Sequence, residues 1–131
     1  MTVLDTSAVV DFLLGTGSAD EVTALVAGSA PPAAPDVVVF EVLAVLRREV
    51  ARGSLNPDRA EAAVEDLGDL GLELYGSLGL RSRAWELREN LTIADALFVA
   101  LAEMLDEPLV TKDAGLGRSA RALAGVTVRV V

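Results

Sequence analysis

Four carboxylates stand at four separated points of the chain, each inside apolar sequence: Asp5 in VLDTS, Glu41 in VVVFEVLAVL, Asp95 in TIADALFVAL and Asp113 in LVTKDAG. An ionised carboxylate among buried apolar residues is costly unless a cation or hydrogen bonds compensate it. Any one of the four could cap a helix. Together they look like the donor set of a divalent-metal site. The chain has no Cys and no His. That excludes thiolate and imidazole ligands, a Ser-His-Asp triad and a thiol nucleophile. For a hydrolase, the chemistry left is carboxylates with a hard, oxygen-preferring cation such as Mg²⁺ or Mn²⁺.

Glu41 is the most telling of the four. Val37 to Leu46 is otherwise apolar, so no helix rotation gives Glu41 polar neighbours before Arg48 and Glu49. The bland reading is an ion pair with Arg48 or another base, but an exposed helical pair contributes only about 0.3–0.5 kcal/mol. Asp95 falls in the first turn of a helix, where the dipole favours negative charge, yet shares a stripe with Phe98, Val99 and Ala102. Asp5 and Asp113 each follow a short apolar strand. Sites in open α/β sheets form beyond the carboxyl ends of the strands, and helix capping is the equal alternative for either acid. Thr6, Ser7 and Thr111 flank the strand-end acids. Their hydroxyls suit ordinary caps and turns first, and orientation of a carboxylate or a metal-bound water second. Lys112 reads first as a solvated side chain and second as a phosphate contact.

The elements that must position these residues follow from periodicity and caps. Thr2–Leu4, Leu72–Tyr75, Leu109–Thr111 and Thr127–Val131 read as strands. Helices are expected over Ser7–Leu14, over Ala19–Val26 with an end near Gly28, and over Val37–Ala51 behind an Asp36 cap. Others are expected from Asn56-Pro57 to about Leu70, over Leu80–Glu89, from Thr92 to about Leu105 and over Ala114–Ala124. Ala30–Pro35, with three prolines, reads as a loop. Strands separated by helices predict an α/β fold: a single domain over residues 1–131, with a central parallel β-sheet flanked by helices on both faces.

The chain has 131 residues, 52% of them hydrophobic, and a net charge of −9. The apolar surplus suggests an interface with another copy or a partner. The negative charge repels a polyanion unless bound cations or local bases offset it. The N-terminus lacks a basic segment and Asp5 and Asp11 interrupt its apolar run, so no signal peptide is expected. No stretch is long enough for a membrane span. A cytoplasmic protein is the expectation.

These residues, in this order, resemble the PIN-domain family, and most closely the VapC-type toxins of bacterial toxin–antitoxin pairs. The matching pieces are V-L-D-T-S-A, F-E-V-L, N-L-T-I-A-D-A-L-F-V-A-L-A-E and L-V-T-K-D-A-G-L. The resemblance covers essentially the whole length. It implies a metal-dependent ribonuclease in which Asp5, Glu41, Asp95 and Asp113 bind one or two Mg²⁺ or Mn²⁺ ions. It also implies a homodimer, silenced by a cognate antitoxin in the active-site groove. The chain departs from the family at two places. Ala94 stands where members often carry an aromatic residue, and Ala114-Gly115-Leu116-Gly117 follows the fourth acid where many have another acid or Asn.

The chemistry expected is hydrolysis of RNA phosphodiesters. A metal held by Asp5 and Asp95 would acidify water and neutralise phosphoryl oxygens, with Glu41 and Asp113 completing the shell or acting as base. Arginines 47, 48, 52, 81, 83, 88, 118 and 121 are candidates for a basic rim, Arg47 and Arg48 first. Two alternatives stand beside this. A receiver-like Mg²⁺-binding phospho-signalling domain would need an acceptor Asp ending a mid-chain strand, where Ser54–Asp58 opens a helix instead. A non-catalytic binding module would use the acids only for its fold.

Overall fold

The structure, a computed structural model, describes residues 1–27 and 30–131. Its strands are short: β1 (Val3–Leu4), β2 (Ala33–Pro35), β3 (Glu73–Tyr75), β4 (Leu109–Thr111) and β5 (Val128–Val130). All pair in parallel, in the order β3-β2-β1-β4-β5. Every residue of β1, β2 and β4 is buried. Strands covered on both faces show continuous apolar runs rather than alternation.

The helices are α1 (Thr6–Leu14), α2 (Ala19–Val26), α3 (Val37–Ala51), α4 (Pro57–Asp69), α5 (Arg81–Glu86), α6 (Ile93–Leu105) and α7 (Ala114–Ala124). α1 packs against α2, α3 and α4, whereas α6 packs against α5 and α7. In α6 the seven consecutive residues Ala96–Ala102 are buried, so this helix is apolar all round and touches β1, β2 and β4. α3 is rich in β-branched Val, which is indifferent to helix; burial of Val38, Val42 and Leu46 at helical spacing stabilises it. Buried residues from both helix groups join one hydrophobic cluster with the sheet. Among the described residues no helix is long and apolar enough to cross a membrane.

Three expectations need correction. Ala30–Pro35 is not all loop, because Ala33–Pro35 forms the inner strand β2. The prolines do not prevent this: the Ala33 amide donates to Thr2 O, and the Pro32 carbonyl accepts from Glu73 N, each at 2.8 Å. Asp36 sits at the start of α3 but makes no side-chain cap. Its carboxylate instead accepts from the Ser77 amide at 3.1 Å and from the Ser77 hydroxyl, tying the end of β3 to α3. The expected Leu80–Glu89 helix is a 3₁₀ turn over Ser77–Leu80 followed by the short α5. α5 closes early because the Leu87 amide is shared between the carbonyls of Arg83 and Ala84. The stop expected at Gly28 lies outside the described residues, and α2 ends at Val26.

The strand order places the site. From the central β1 the chain moves outward through β2 and β3, then returns to β4 on the other side of β1. The crevice at the carboxyl ends of β1 and β4 is therefore the switch point where α/β sheets bind ligands.

Candidate active site

Asp5 follows β1 directly, and its amide donates to Val110 O at 3.0 Å, extending the β1–β4 ladder by one bond. The side chain caps α1: Oδ1 accepts from Ala8 N at 3.0 Å and from Ser7 Oγ at 2.7 Å. Oδ2 accepts a short bond from the Thr111 hydroxyl at the end of β4. Thr111 Oγ1 in turn accepts from Asp113 N at 3.0 Å, and Asp113 Oδ1 caps α7 by accepting from Leu116 N at 3.0 Å. Capping and a role at the site are therefore compatible. α1 and α7 each bring their capping carboxylate into the crevice.

Glu41 arrives from α3 on a stripe with Val45 and Arg48, and its Oε1 accepts from Thr6 Oγ1 at 2.6 Å. Asp95 enters from the first turn of α6, where its amide donates to the Thr92 cap at 3.1 Å. All four acids line one cleft of about 370 Å³, with Thr6 and Ser7 on its wall and Val10, Val45, Phe98 and Leu116 as its apolar part. Thr111 stands behind it, fully buried.

Among the described residues none of the four acids makes an ion pair. Burial pushes the Asp5 carboxyl above the usual carboxylate range, and neighbouring Asp113 adds to the effect against the donors Thr111, Ser7 and Ala8. Asp95 is also pushed up, first by burial and then by the charges of Asp5, Glu41 and Asp113. The four acids repel one another, which is the electrostatic condition that a cation relieves. Among the described residues no three His, Cys, Asp or Glu side chains close on a common point as a formed metal site. The hydroxyls of Thr6, Ser7 and Thr111 hold Asp5 and Glu41 where they stand. The donor set, all oxygen, fits a hard divalent cation.

Sequence reasoning passed over Asp11. It is buried as deeply as Asp5, at 7% exposure for both, and it lines the same cleft. Its Oδ2 accepts from the Ser18 amide and hydroxyl, each at 2.8 Å, and pairs with Lys112 Nζ at 2.9 Å. Burial raises its proton affinity, but the Lys112 and Ser18 donors outweigh that and hold it below the usual range. Lys112 is thus ion-paired on the cleft wall rather than simply solvated. The signal was available: AVVDFLL is as apolar around Asp11 as the context of Glu41.

Arg48 lines the cleft. Arg47 points elsewhere, beside Leu43, Val50 and α4. Arg83 is engaged by Glu103 and Glu86, Arg121 donates to Val128 O, and Arg88 lies over the Trp85 ring. Of these candidates Arg48 lines the cleft, while Arg47, Arg83, Arg88 and Arg121 are placed elsewhere. The glycines after Asp113 have a packing reason, since a Cβ on Gly117 would stand 3.1 Å from Val128 Cγ1. The receiver-like alternative lacks a mid-chain acceptor at the cleft. Asp36 after β2 is bound by Ser77 and does not line it. Asn56 caps α4 with Oδ1, and β3 ends on Tyr75 at the sheet edge.

Comparison with known proteins agrees with this geometry. The PIN domain model matches residues 2–122. Ribonuclease VapC1 of Mycobacterium tuberculosis is 39% identical over 115 residues, covering 87% of this chain and 86% of that protein. Ribonuclease VapC9 of the same species is 35% identical over 128 residues, covering 98% of each. Among solved structures, VapBC2 from Rickettsia felis, bound to a promoter DNA fragment, superposes with a TM-score of 0.72 at 16% identity, covering 99% of this chain and 98% of that one. PAE2754 from Pyrobaculum aerophilum gives 0.72 at 18% identity, covering 97% and 82%. At such identities the structural matches speak for the fold, and the closer sequence matches speak for the branch. The chain belongs to the PIN-domain family, among the VapC ribonucleases.

Proposed function

We propose that the protein is an endoribonuclease that hydrolyses RNA phosphodiester bonds with Mg²⁺ or Mn²⁺ held by Asp5, Glu41, Asp95 and Asp113, and that it is the toxin of a toxin–antitoxin pair. The observation that carries this reading is four unpaired carboxylates in one cleft, two of them with raised proton affinity. A bound divalent cation supplies acidified water and charge for the phosphoryl oxygens. The chain's own residues do the rest. Thr111 and Ser7 fix Asp5 from opposite oxygens, and Thr6 fixes one oxygen of Glu41 while leaving the other to accept a proton. Phe98 and Leu116 keep water from the apolar side of the cleft. Arg48, at the same cleft, offers a guanidinium to the phosphate backbone.

The partners belong to the same reading: RNA as substrate, a cognate antitoxin protein, and a second copy in a homodimer, all in the cytoplasm. Large apolar side chains left in water support it, with Phe40 72%, Leu78 77% and Trp85 62% exposed.

The test is cleavage of a mixed tRNA and rRNA substrate by purified protein with Mg²⁺ or Mn²⁺, with Asp5→Asn in parallel. Metal-dependent cleavage that the substitution reduces by at least about 100-fold is expected. Equal cleavage by both proteins would contradict the assignment of Asp5.

A further inference from the structure

Lys112 is the only lysine in the chain, and it stands between Thr111 and Asp113 on the wall of the acid cleft. An ammonium in that place is drawn toward four unpaired carboxylates, including the one on the next residue. It pairs with none of them. Its Nζ lies 2.9 Å from Asp11 Oδ2, with the Asp11 side chain 11% exposed and that of Lys112 43% exposed.

Asp11 is itself seated by the turn between α1 and α2. The Ser18 amide and hydroxyl both donate to Oδ2. Gly17, at φ +51°, passes so close that a Cβ there would overlap Oδ2 and stand 3.0 Å from Cγ. The Lys112 amide is held as well, donating to Ser7 Oγ at 3.3 Å. Exposed ion pairs are ordinarily worth little and do not need a shaped seat. This pair has one, and its effect is to keep a cation beside the acids but off them. An ammonium carries three donors and Asp11 takes one, which leaves donors free toward the cleft.

We propose that Lys112 binds a phosphate of the RNA strand next to the acid cluster, and that Asp11 is the positioning residue that holds it there and keeps it off the cation-binding carboxylates. The proposal rests on the ribonuclease reading above. Lys112 supplies attraction for substrate in a cleft of net negative charge, and Asp11 leaves Asp5, Glu41, Asp95 and Asp113 open to the metal.

The experiment has two arms, each on folded protein checked by circular dichroism. In an Asp5→Asn background, labelled bulk tRNA is titrated at several salt concentrations against Lys112, Lys112→Met and Lys112→Arg. Lys112→Gln replaces the Met variant should that one fail to fold. Loss of the ammonium is expected to weaken binding about 3- to 10-fold and to lower the salt slope by about 0.7, with Arg retaining both. Unchanged affinity and slope would overturn the phosphate role. No tRNA binding by any of the proteins at saturating Mg²⁺ would overturn this proposal, whereas the ribonuclease reading stands or falls on the cleavage assay above. In the second arm Mn²⁺ is titrated into otherwise unsubstituted protein. Asp11→Asn is expected to weaken Mn²⁺ binding about 10-fold, and adding Lys112→Met to restore it. Unchanged Mn²⁺ affinity in Asp11→Asn would overturn the positioning role.

Discussion

The two ends of α1 carry carboxylates that are equally buried and oppositely compensated. At its last turn, Asp11 has an ammonium and two donors from Ser18, and its charge is held below the usual carboxylate range. At its first turn, Asp5 has only neutral donors, faces another acid and is pushed up. Burial alone therefore does not mark an acid as functional. What separates the two is whether the fold itself supplies the compensating charge. Where it does, the carboxylate fastens a turn; where it does not, the carboxylate stands uncompensated in the cleft.

The difference can be broken most forcefully at the Asp11 end. Asp11→Ala removes the acceptor for the Ser18 amide and for Lys112, and is expected to cost about 2–3 kcal/mol in urea unfolding, with or without divalent metal. A loss under about 0.5 kcal/mol would show that the seat is not structural. Gly17→Ala attacks the same end from the backbone. It forces a side chain into the left-handed region and against Asp11, at an expected cost of about 1–2 kcal/mol.

The Asp5 end should behave the other way. Asn keeps the capping oxygen and removes the charge, but puts an NH2 donor where Oδ2 accepted from Thr111, so that hydroxyl must turn to accept. With the charge relieved, Asp5→Asn is expected to leave metal-free stability near pH 7 unchanged or higher. The pH dependence sharpens this. Asp5 and Asp95 hold their protons more tightly folded than unfolded, so they lower stability as pH rises from the ordinary carboxylate range through their raised folded pKa values. Asp11 has the opposite sign: its contribution is present above the unfolded value and is lost as pH falls through its lowered folded pKa. Metal-free melting curves of Asp5→Asn should therefore decline less with rising pH than those of the parent protein. A steeper decline in Asp5→Asn would reverse the assignment.

The acids Asp5, Glu41, Asp95 and Asp113 were legible because a charge inside an apolar run has no bland place to go. Their convergence followed from strand-end placement, which needs only the order of strands and helices. The inner strand β2 was not legible. Two alanines among prolines carry no strand signal, and what makes them a strand is the pairing offered by Thr2 and Glu73. Asp11 was hidden for a related reason. Its partner Lys112 lies on β4's far end of the sequence, and only the β1–β4 pairing brings the two together. Which arginines face the cleft was not legible, because charge on a helix shows no direction; Arg83 and Arg121 are spent on Glu103 and on Val128 O. Thr6 and Thr111, read first as caps and turn residues and second as orienting a carboxylate, hold Glu41 and Asp5 through contacts distant in sequence.

The most direct test of the uncompensated cluster is a calorimetric Mn²⁺ titration of the parent protein beside Asp5→Asn, Asp95→Asn and the double variant Asp11→Asn/Lys112→Met. Saturable binding that falls at least about 10-fold in Asp5→Asn and Asp95→Asn, and survives in the double variant, is the expected result. Equal Mn²⁺ binding in all four proteins would contradict it, and would place the cation away from the carboxyl ends of β1 and β4.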